Sequence, residues 1–357
     1  MRTIWRSAKV TVVAALVLLL TTVIACFGYR GYRHSVIARA TAIDPEKGID
    51  EEFFGRIGGI EQWISVRGQN RKNPIILFVH GGPGLASSPF PRDFLYAWTR
   101  DFTMVRWDQR GSGKTYGRSG PIGPSVTVER MALDGIEVAE LVRARLHKSK
   151  VVLLGLSWGS VLGVRMAKLR PDLFYAYVGT GQSVNQRKYK VLAYAELLED
   201  ARTRRDSKAV AELTANGPPP YASVLKAAVH TKWANAYESG QPSGWSLASL
   251  ILFDSEAGPL DLQDYMQGIR TSEDHFRDAS DADDLPSLGA EFAVPFFVFQ
   301  GAADHVTAVR PVRDYMESIK APRKELVLIP NAGHNVMVTR SDEFLKLLRE
   351  RVRPLAE

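Results

Sequence analysis

The chain holds one cysteine, Cys26, in 357 residues. A lone thiol excludes an intrachain disulfide framework and a cysteine zinc site, and it leaves the compartment open. Also missing is any run of lysines and arginines interleaved with aromatic residues. The net charge is +7, yet the cations are scattered, so no nucleic-acid partner is expected. What remains is a mildly basic surface with some attraction for anionic lipid. There is no internal repeat and no low-complexity domain. With 45% hydrophobic and 24% charged residues, the chain has apolar material for one large α/β domain plus an insertion.

The first positive feature is a charge-free run from Val10 to Gly28. A helix of that length can cross a hydrocarbon core of about 30 Å. Arg2, Arg6 and Lys9 precede it, and Arg30, Arg33 and Arg39 follow. It reads as an uncleaved anchor or as a cleaved signal. In the second case Val23-Ile24-Ala25-Cys26 resembles a bacterial lipoprotein processing box, whose cysteine is lipidated. Both readings attach the protein to a membrane. Charge on both sides orients it weakly, and the domain that follows is expected outside the cytoplasm. Residues 1–28 are therefore a signal-anchor or transmembrane segment, and 29–50 a linker.

From Glu51 onward, strand and helix signals alternate. Phe53 to Arg67 turns about Gly58-Gly59 as a β-hairpin. Short apolar strands are expected at Pro74–His80, Met104–Trp107, Val151–Leu154, Tyr175–Val178, Val294–Phe299 and Glu325–Ile329. Val126–His147 has helical spacing. This alternation predicts an α/β fold with a mostly parallel sheet flanked by helices. It breaks over 181–285, which looks helical, contains Gly217-Pro218-Pro219-Pro220 and ends in an acidic stretch that includes Asp283 and Asp284. That insertion reads as a cap over a core made of 51–180 and 286–357.

The chain is organised around KVVLLGLSWGSVLG, Lys150 to Gly163. A strand runs into Gly155-Leu156-Ser157-Trp158-Gly159, and a helix follows until Pro171 stops it. Strand, G-x-S-x-G, helix lifts a serine hydroxyl to the start of a helix, where free N–H groups face a developing oxyanion. Acyl transfer then needs a base oriented by a carboxylate, in chain order serine, acid, histidine. His334, in the loop after the last strand, fits the base. Asp304, directly after the strand VPFFVFQ, fits the acid, with capping of the next turn as its ordinary alternative. Trp158 and either Gly81 or Gly82 are expected to form the oxyanion hole. His230, His275 and His305 are set aside by position. Gly111-Ser112-Gly113-Lys114-Thr115 looks like a phosphate loop, but position 108 is aspartate where that pattern needs glycine, and no clear apolar helix follows. Asp108 and Arg110 more naturally lock the loop.

Together HGGPG at His80–Gly84, WDQRGSGKT at Trp107–Thr115, GLSWGS at Gly155–Ser160 and AGH at Ala332–His334 resemble the α/β-hydrolase superfamily, and within it the proline iminopeptidase-like serine hydrolases. The resemblance covers Glu51 to the C-terminus. It implies an α/β-hydrolase fold with a helical cap, a Ser157–His334–Asp304 triad, an oxyanion hole from the HGGPG loop and Trp158, and no metal or cofactor. It also implies removal of N-terminal residues from short peptides, with cap glutamates on the free amine. Glu238, Glu196 and Glu199 are the candidates for that contact. Four stretches depart from the family pattern: Leu156 replaces a usual glycine, GAADHVTA lacks the arginine and the proline, GTGQSVNQ lacks a usual arginine, and WANAYE only loosely follows W-x-x-W-E. The alternative substrate is an ester or lipid-derived amide. A non-enzymatic binding module is the remaining reading, and a full set of catalytic groups in order argues against it.

Overall fold

The computed structural model describes residues 2–221, 223–237, 250–255, 257–282 and 284–356. Strands form where β-branched and aromatic residues cluster between turn residues. Helix α1 (Arg2–Ala40) is followed by β1 (Ile49–Ile57) and β2 (Ile60–Gly68), the expected hairpin. Then come β3 (Ile75–Val79), β4 (Thr103–Trp107), α2 (Gly113–Ser119), α3 (Val128–Arg145), β5 (Val151–Leu156), α4 (Trp158–Leu169) and β6 (Phe174–Thr180). The insertion supplies α5 (Gln186–Thr203), α6 (Ser207–Asn216), α7 (Val224–Tyr237) and α8 (Pro259–Ala282). The core resumes with β7 (Phe296–Gly301), α9 (Val309–Ser318) and β8 (Lys324–Ile329).

The sheet order is β1-β2-β4-β3-β5-β6-β7-β8. The β1–β2 and β2–β4 pairs are antiparallel, and every later pair is parallel. Parallel strands need crossovers, so helices cover both faces and the middle strands are apolar throughout. Val151 to Leu154 are fully buried, with alternate side chains in two cores. Val151 and Leu153 join α3 and α4 residues such as Val138 and Leu162. Val152 and Leu154 join Trp98, Phe299 and Phe344 on the opposite face. The cap has its own apolar cluster, in which Tyr194, Leu197 and Ala201 of α5 meet Leu213 and Trp233.

One sequence expectation differs locally. Over 29–50 a linker is expected, but α1 stays helical to Ala40, and turns occupy the stretch before β1. The reason is contact: Ile37 is buried, and Arg33 pairs with Asp254. A short helix, α2, begins at Gly113, and its residues GKTYGRS carry no apolar run, in line with the expectation that no clear apolar helix follows the loop. Its start is held by Asp108, whose Oδ2 accepts from Lys114 N at 2.9 Å.

Candidate active site

The β5–α4 connection leaves no slack. Ser157 is its single turning residue, with φ 53° and ψ −118°. A non-glycine residue held there costs on the order of 1–3 kcal/mol, which the surrounding packing must offset. The glycines flanking it are required by close approach. A Cβ on Gly159 would lie 2.0 Å from the carbonyl oxygen of Val79, and one on Gly155 would lie 2.6 Å from that of Gly159. The turn is tied down because Ser157 N donates to Thr180 O, while Ser160 N donates back to Ser157 O.

Asp304 and His334 lie on the loops after β7 and β8, at the carboxyl ends of adjacent strands. His334 Nδ1 is 3.1 Å from Asp304 Oδ2 and 3.2 Å from Oδ1. Asp304 is buried and well supplied with donors. Its Oδ1 accepts from Val306 N at 2.9 Å and Thr307 N at 2.8 Å, and its Oδ2 accepts from Thr307 Oγ1 at 2.7 Å. Burial works to raise its pKa, but the His334 charge and hydrogen bond, together with the Thr307 donors, outweigh it and hold the carboxyl below its ordinary value. Asp304 is thus ionised at neutral pH, so the proton between the pair sits on Nδ1 and Nε2 is left as the acceptor. The imidazole lies over Gly181, where a Cβ would come 2.7 Å from His334 Cε1. Gly181 directly follows Thr180, the residue that anchors Ser157 N. The three groups therefore gather at one end of the sheet.

The HGGPG loop reaches the same place. An added Cβ on Gly81 would sit 3.4 Å from Ser157 Cβ. His80 below it is buried, which lowers its pKa to about 4, so its ring is neutral. Gln109 N donates to His80 Nε2 at 3.1 Å, which puts the ring proton on Nδ1, 2.8 Å from Gly81 O. That bond pins the Gly81–Gly82 peptide. Trp158 opens α4 and is buried, with Nε1 donating to Gln109 Oε1 at 3.1 Å.

A buried polar chain joins the serine turn to the acid loop. Ser160 Oγ donates to Ser157 O at 2.6 Å and accepts from Gln182 Nε2 at 3.1 Å. Gln182 N donates to Gln300 Oε1 at 2.9 Å, and Gln300 Nε2 donates to Thr307 O at 2.6 Å. Sequence reading missed Gln182, Gln300 and Thr307. A signal for Thr307 exists in Asp304-x-x-Thr307, the spacing of a side-chain-capped turn. The glutamines carry no local signal, because their partners come from distant strands.

The decoy loop is explained by its own contacts. Asp108 accepts from Ser87 N, Ser88 N and Lys114 N, which fills the α2 start with a carboxylate of the chain itself. Arg110 pairs with Asp134 at 2.9 Å. The other histidines are engaged elsewhere: His275 with Val126 O, His305 with Asp200, and His230 with Tyr221 and His305 O.

Of the three cap glutamates, Glu238 lies outside the described residues. Glu199 is exposed and pairs with Arg202 at 3.4 Å. Glu196 is half-buried on α5. Neither lines the cavity of about 570 Å³ that opens beside Gly82 and Pro83. Its walls are cap residues, among them Tyr221, Lys232, Asn235 and Arg277, with Glu273 of α8 as the one carboxylate of that lining among the described residues. Burial, helped by Asp274 and opposed by Arg277, raises the Glu273 pKa. Sequence reading missed Glu273 because it lies before the acidic stretch at the end of the cap and no local motif marks it.

The sequence pattern of the family described as alpha/beta hydrolase fold matches residues 74–341. A probable aminopeptidase of Bacillus subtilis (strain 168), YbaC, is 28% identical over 83% of this chain and 94% of its own length. A probable proline iminopeptidase of Streptomyces coelicolor is 25% identical over 79% of this chain and 88% of its own. Among solved structures, a membrane phospholipase A described as a bacterial virulence factor superposes with a TM-score of 0.61. That match covers 99% of this chain and 98% of the other at 17% identity, a likeness of fold alone.

Proposed function

The chain belongs to the α/β-hydrolase family, as a proline iminopeptidase-like member, and we propose that it works through a Ser157–His334–Asp304 triad and an acyl-enzyme. The observation that carries this reading is the Asp304–His334 pair on two adjacent strand ends, with His334 against Gly181, the residue after the Thr180 carbonyl that anchors Ser157 N. Ser157 Oγ attacks the acyl carbon as His334 Nε2 takes its proton. His334 then gives that proton to the leaving group, and the C–N or C–O bond breaks. Water repeats the sequence against the ester and restores Ser157. Asp304 holds the imidazole tautomer and offsets the imidazolium charge. The oxyanion meets the N–H groups of Trp158 and the glycine loop. Because Gly81 O accepts from His80, the trans peptide directs Gly82 N–H the opposite way, which favours Gly82 as the second donor. Each such donor contributes roughly 3–4 kcal/mol in comparable sites.

The substrate supported best is a short peptide losing its N-terminal residue. One relative is named a probable aminopeptidase and another a probable proline iminopeptidase, and Glu273 offers a carboxylate to a free amine in the cavity beside Gly82. One observation favours an ester or lipid-derived amide instead: the apolar helix α1 packs on the cap. We read α1 as an uncleaved membrane anchor, with the catalytic domain outside the cytoplasm and lipidation of Cys26 as the alternative. The test compares prolyl and other aminoacyl chromogenic substrates with acyl esters, on the wild type and on Ser157→Ala. Turnover and fluorophosphonate labelling both vanish in the variant if Ser157 is the nucleophile. Labelling at an unchanged rate removes that assignment, and a preference for esters removes the peptidase reading.

A further inference from the structure

Helix α1 continues well past its apolar run. Its 39 residues make a rod of about 58 Å at ~1.5 Å per residue. The hydrocarbon core of a bilayer is only about 30 Å thick. The surplus at the C-terminal end lies on the catalytic domain, against one turn of the cap just before α8. Arg30 Nη2 donates to the carbonyl oxygens of Ser255 at 2.7 Å and Ala257 at 2.5 Å, and its Nη1 donates to that of Leu252. Arg33 holds Asp254 through two bonds of 2.7 and 2.8 Å. The Tyr29 ring meets Phe253 edge-on, with centroids 5.3 Å apart. Consecutive turns of α1 therefore clamp one short cap segment, beginning with the first residue after the charge-free run.

The position of that clamp along the helix fixes its depth. With Val10 to Gly28 in the hydrocarbon core, the backbones of Arg30 and Arg33 stand about 3 and 7.5 Å beyond its edge. The headgroup layer on each side is roughly 5–8 Å thick. A segment touching both arginines therefore lies within it. Leu252 at that level keeps 48% of its surface exposed, and Tyr29 and Tyr32 on the adjoining helix keep 52% and 65%. Tyrosine rings are favoured at the membrane–water interface, and a leucine there gains by entering the acyl boundary. Arg30 and Arg33, which the sequence presents as cations flanking a span, are engaged with the protein. The attraction of this surface for lipid is thus apolar and aromatic.

We propose that the cap segment around Leu252 is a membrane-docking surface, seated at the headgroup–acyl boundary of the bilayer that α1 enters. The proposal rests on the anchor reading of α1, and its occupant follows from continuity with that helix. It makes the cap the membrane-facing part of the enzyme. The docked segment leads directly into α8, whose Gly268, Ile269 and Ser272 pack on Gly84 of the glycine loop. A substrate presented at the bilayer surface then meets the cap first.

The test uses the full-length chain in phosphatidylcholine vesicles containing doxyl-labelled lipid. Cys26→Ser removes the one native thiol. A cysteine bearing an environment-sensitive fluorophore is then introduced as Leu18→Cys, Leu252→Cys or Leu225→Cys. Leu18 lies within the apolar run and reports insertion of α1 itself. Leu225 on α7 is 81% exposed and reports the aqueous background. Lipid quenching is expected at Leu18, and at Leu252 it should exceed the Leu225 value by at least about twofold, as for a residue ~5–10 Å into the interface. Arg33→Asp should abolish that excess, and Arg33→Asp with Asp254→Arg should restore it. Quenching at Leu18 with Leu252 matching Leu225 overturns the docking proposal and leaves the anchor in place. An unquenched Leu18 overturns the anchor reading and the docking proposal together. A Leu252 signal that follows protein density and ignores the doxyl-lipid fraction assigns the face to a second copy of the chain and also overturns the proposal.

Discussion

In the proposed triad, Asp304→Asn separates the electrostatic role of the acid from its role as a structural cap. Two backbone donors, Val306 N and Thr307 N, both point at Oδ1. The amide oxygen of the asparagine is therefore fixed in that place, and the amide nitrogen takes the place of Oδ2. There it faces Thr307 Oγ1, 2.7 Å from the present oxygen, and His334 Nδ1, 3.1 Å from it. The Thr307 hydroxyl can rotate and accept. His334 Nδ1 must also accept, so its proton moves to Nε2, the atom that in the proposed mechanism receives the Ser157 proton. Geometry survives while the tautomer is wrong. In comparable triads that change lowers kcat by about 10⁴, or roughly 5.4 kcal/mol at the transition state.

Folding should change much less, by about 1–2 kcal/mol, because a charge-assisted network becomes a neutral one. Its pH dependence has a definite sign. The folded Asp304 pKa is lowered, so its contribution is present above the unfolded value near 3.9 and disappears as pH falls through the lower folded value. Asparagine removes that acid-side dependence. The assays are kcat across pH, denaturant unfolding at pH 7 and pH 3, and ¹⁵N spectra of the His334 ring. Activity within tenfold of wild type with the ring proton still on Nδ1 refutes the assignment of Asp304 as the acid.

Further outcomes are expected at three positions. Gly159→Ala places a Cβ 2.0 Å from Val79 O and 2.6 Å from His80 O, both backbone, so a loss of about 3 kcal/mol or more should appear in thermal melts. A melting temperature within a degree or two of wild type contradicts the close-packed turn. Glu273→Gln should raise KM about tenfold or more for substrates with a free amine and leave acyl esters unchanged, as for loss of a charge-assisted contact. In the wild type, KM for those peptides should climb as pH falls through the raised Glu273 pKa, and the glutamine variant should lose that climb. Thr307→Val removes the 2.7 Å bond to Asp304 with little change of shape, and should lower kcat severalfold with KM unchanged. An equal effect on both parameters contradicts a positioning role.

Much of the core was legible because its signals are local. Val151–Leu154 is apolar and β-branched over one strand length, and the glycines around Ser157 mark a turn that no larger residue can make. The chain order of Asp304 and His334, each just after a strand, was likewise readable. The cap was legible only as helix. The lining of its cavity is assembled from separate helices, so Glu273 carries no mark that distinguishes it from the solvated Glu199. The linker expected over 29–50 illustrates the same limit, since the partners that keep α1 helical to Ala40 lie more than two hundred residues away.

The sequence by itself determined the family, the parallel sheet and the serine turn. Each follows from short-range periodicity, backbone sterics at glycine and motifs whose residues are neighbours in the chain. Only the tertiary structure decided which carboxylate faces the cavity, which buried glutamines tie the Asp304 loop to the Ser157 turn, and that the apolar helix grips the cap. Those are contacts between residues far apart in sequence. They depend on where the chain returns in space, and that is set by the packing of the whole sheet and its helices.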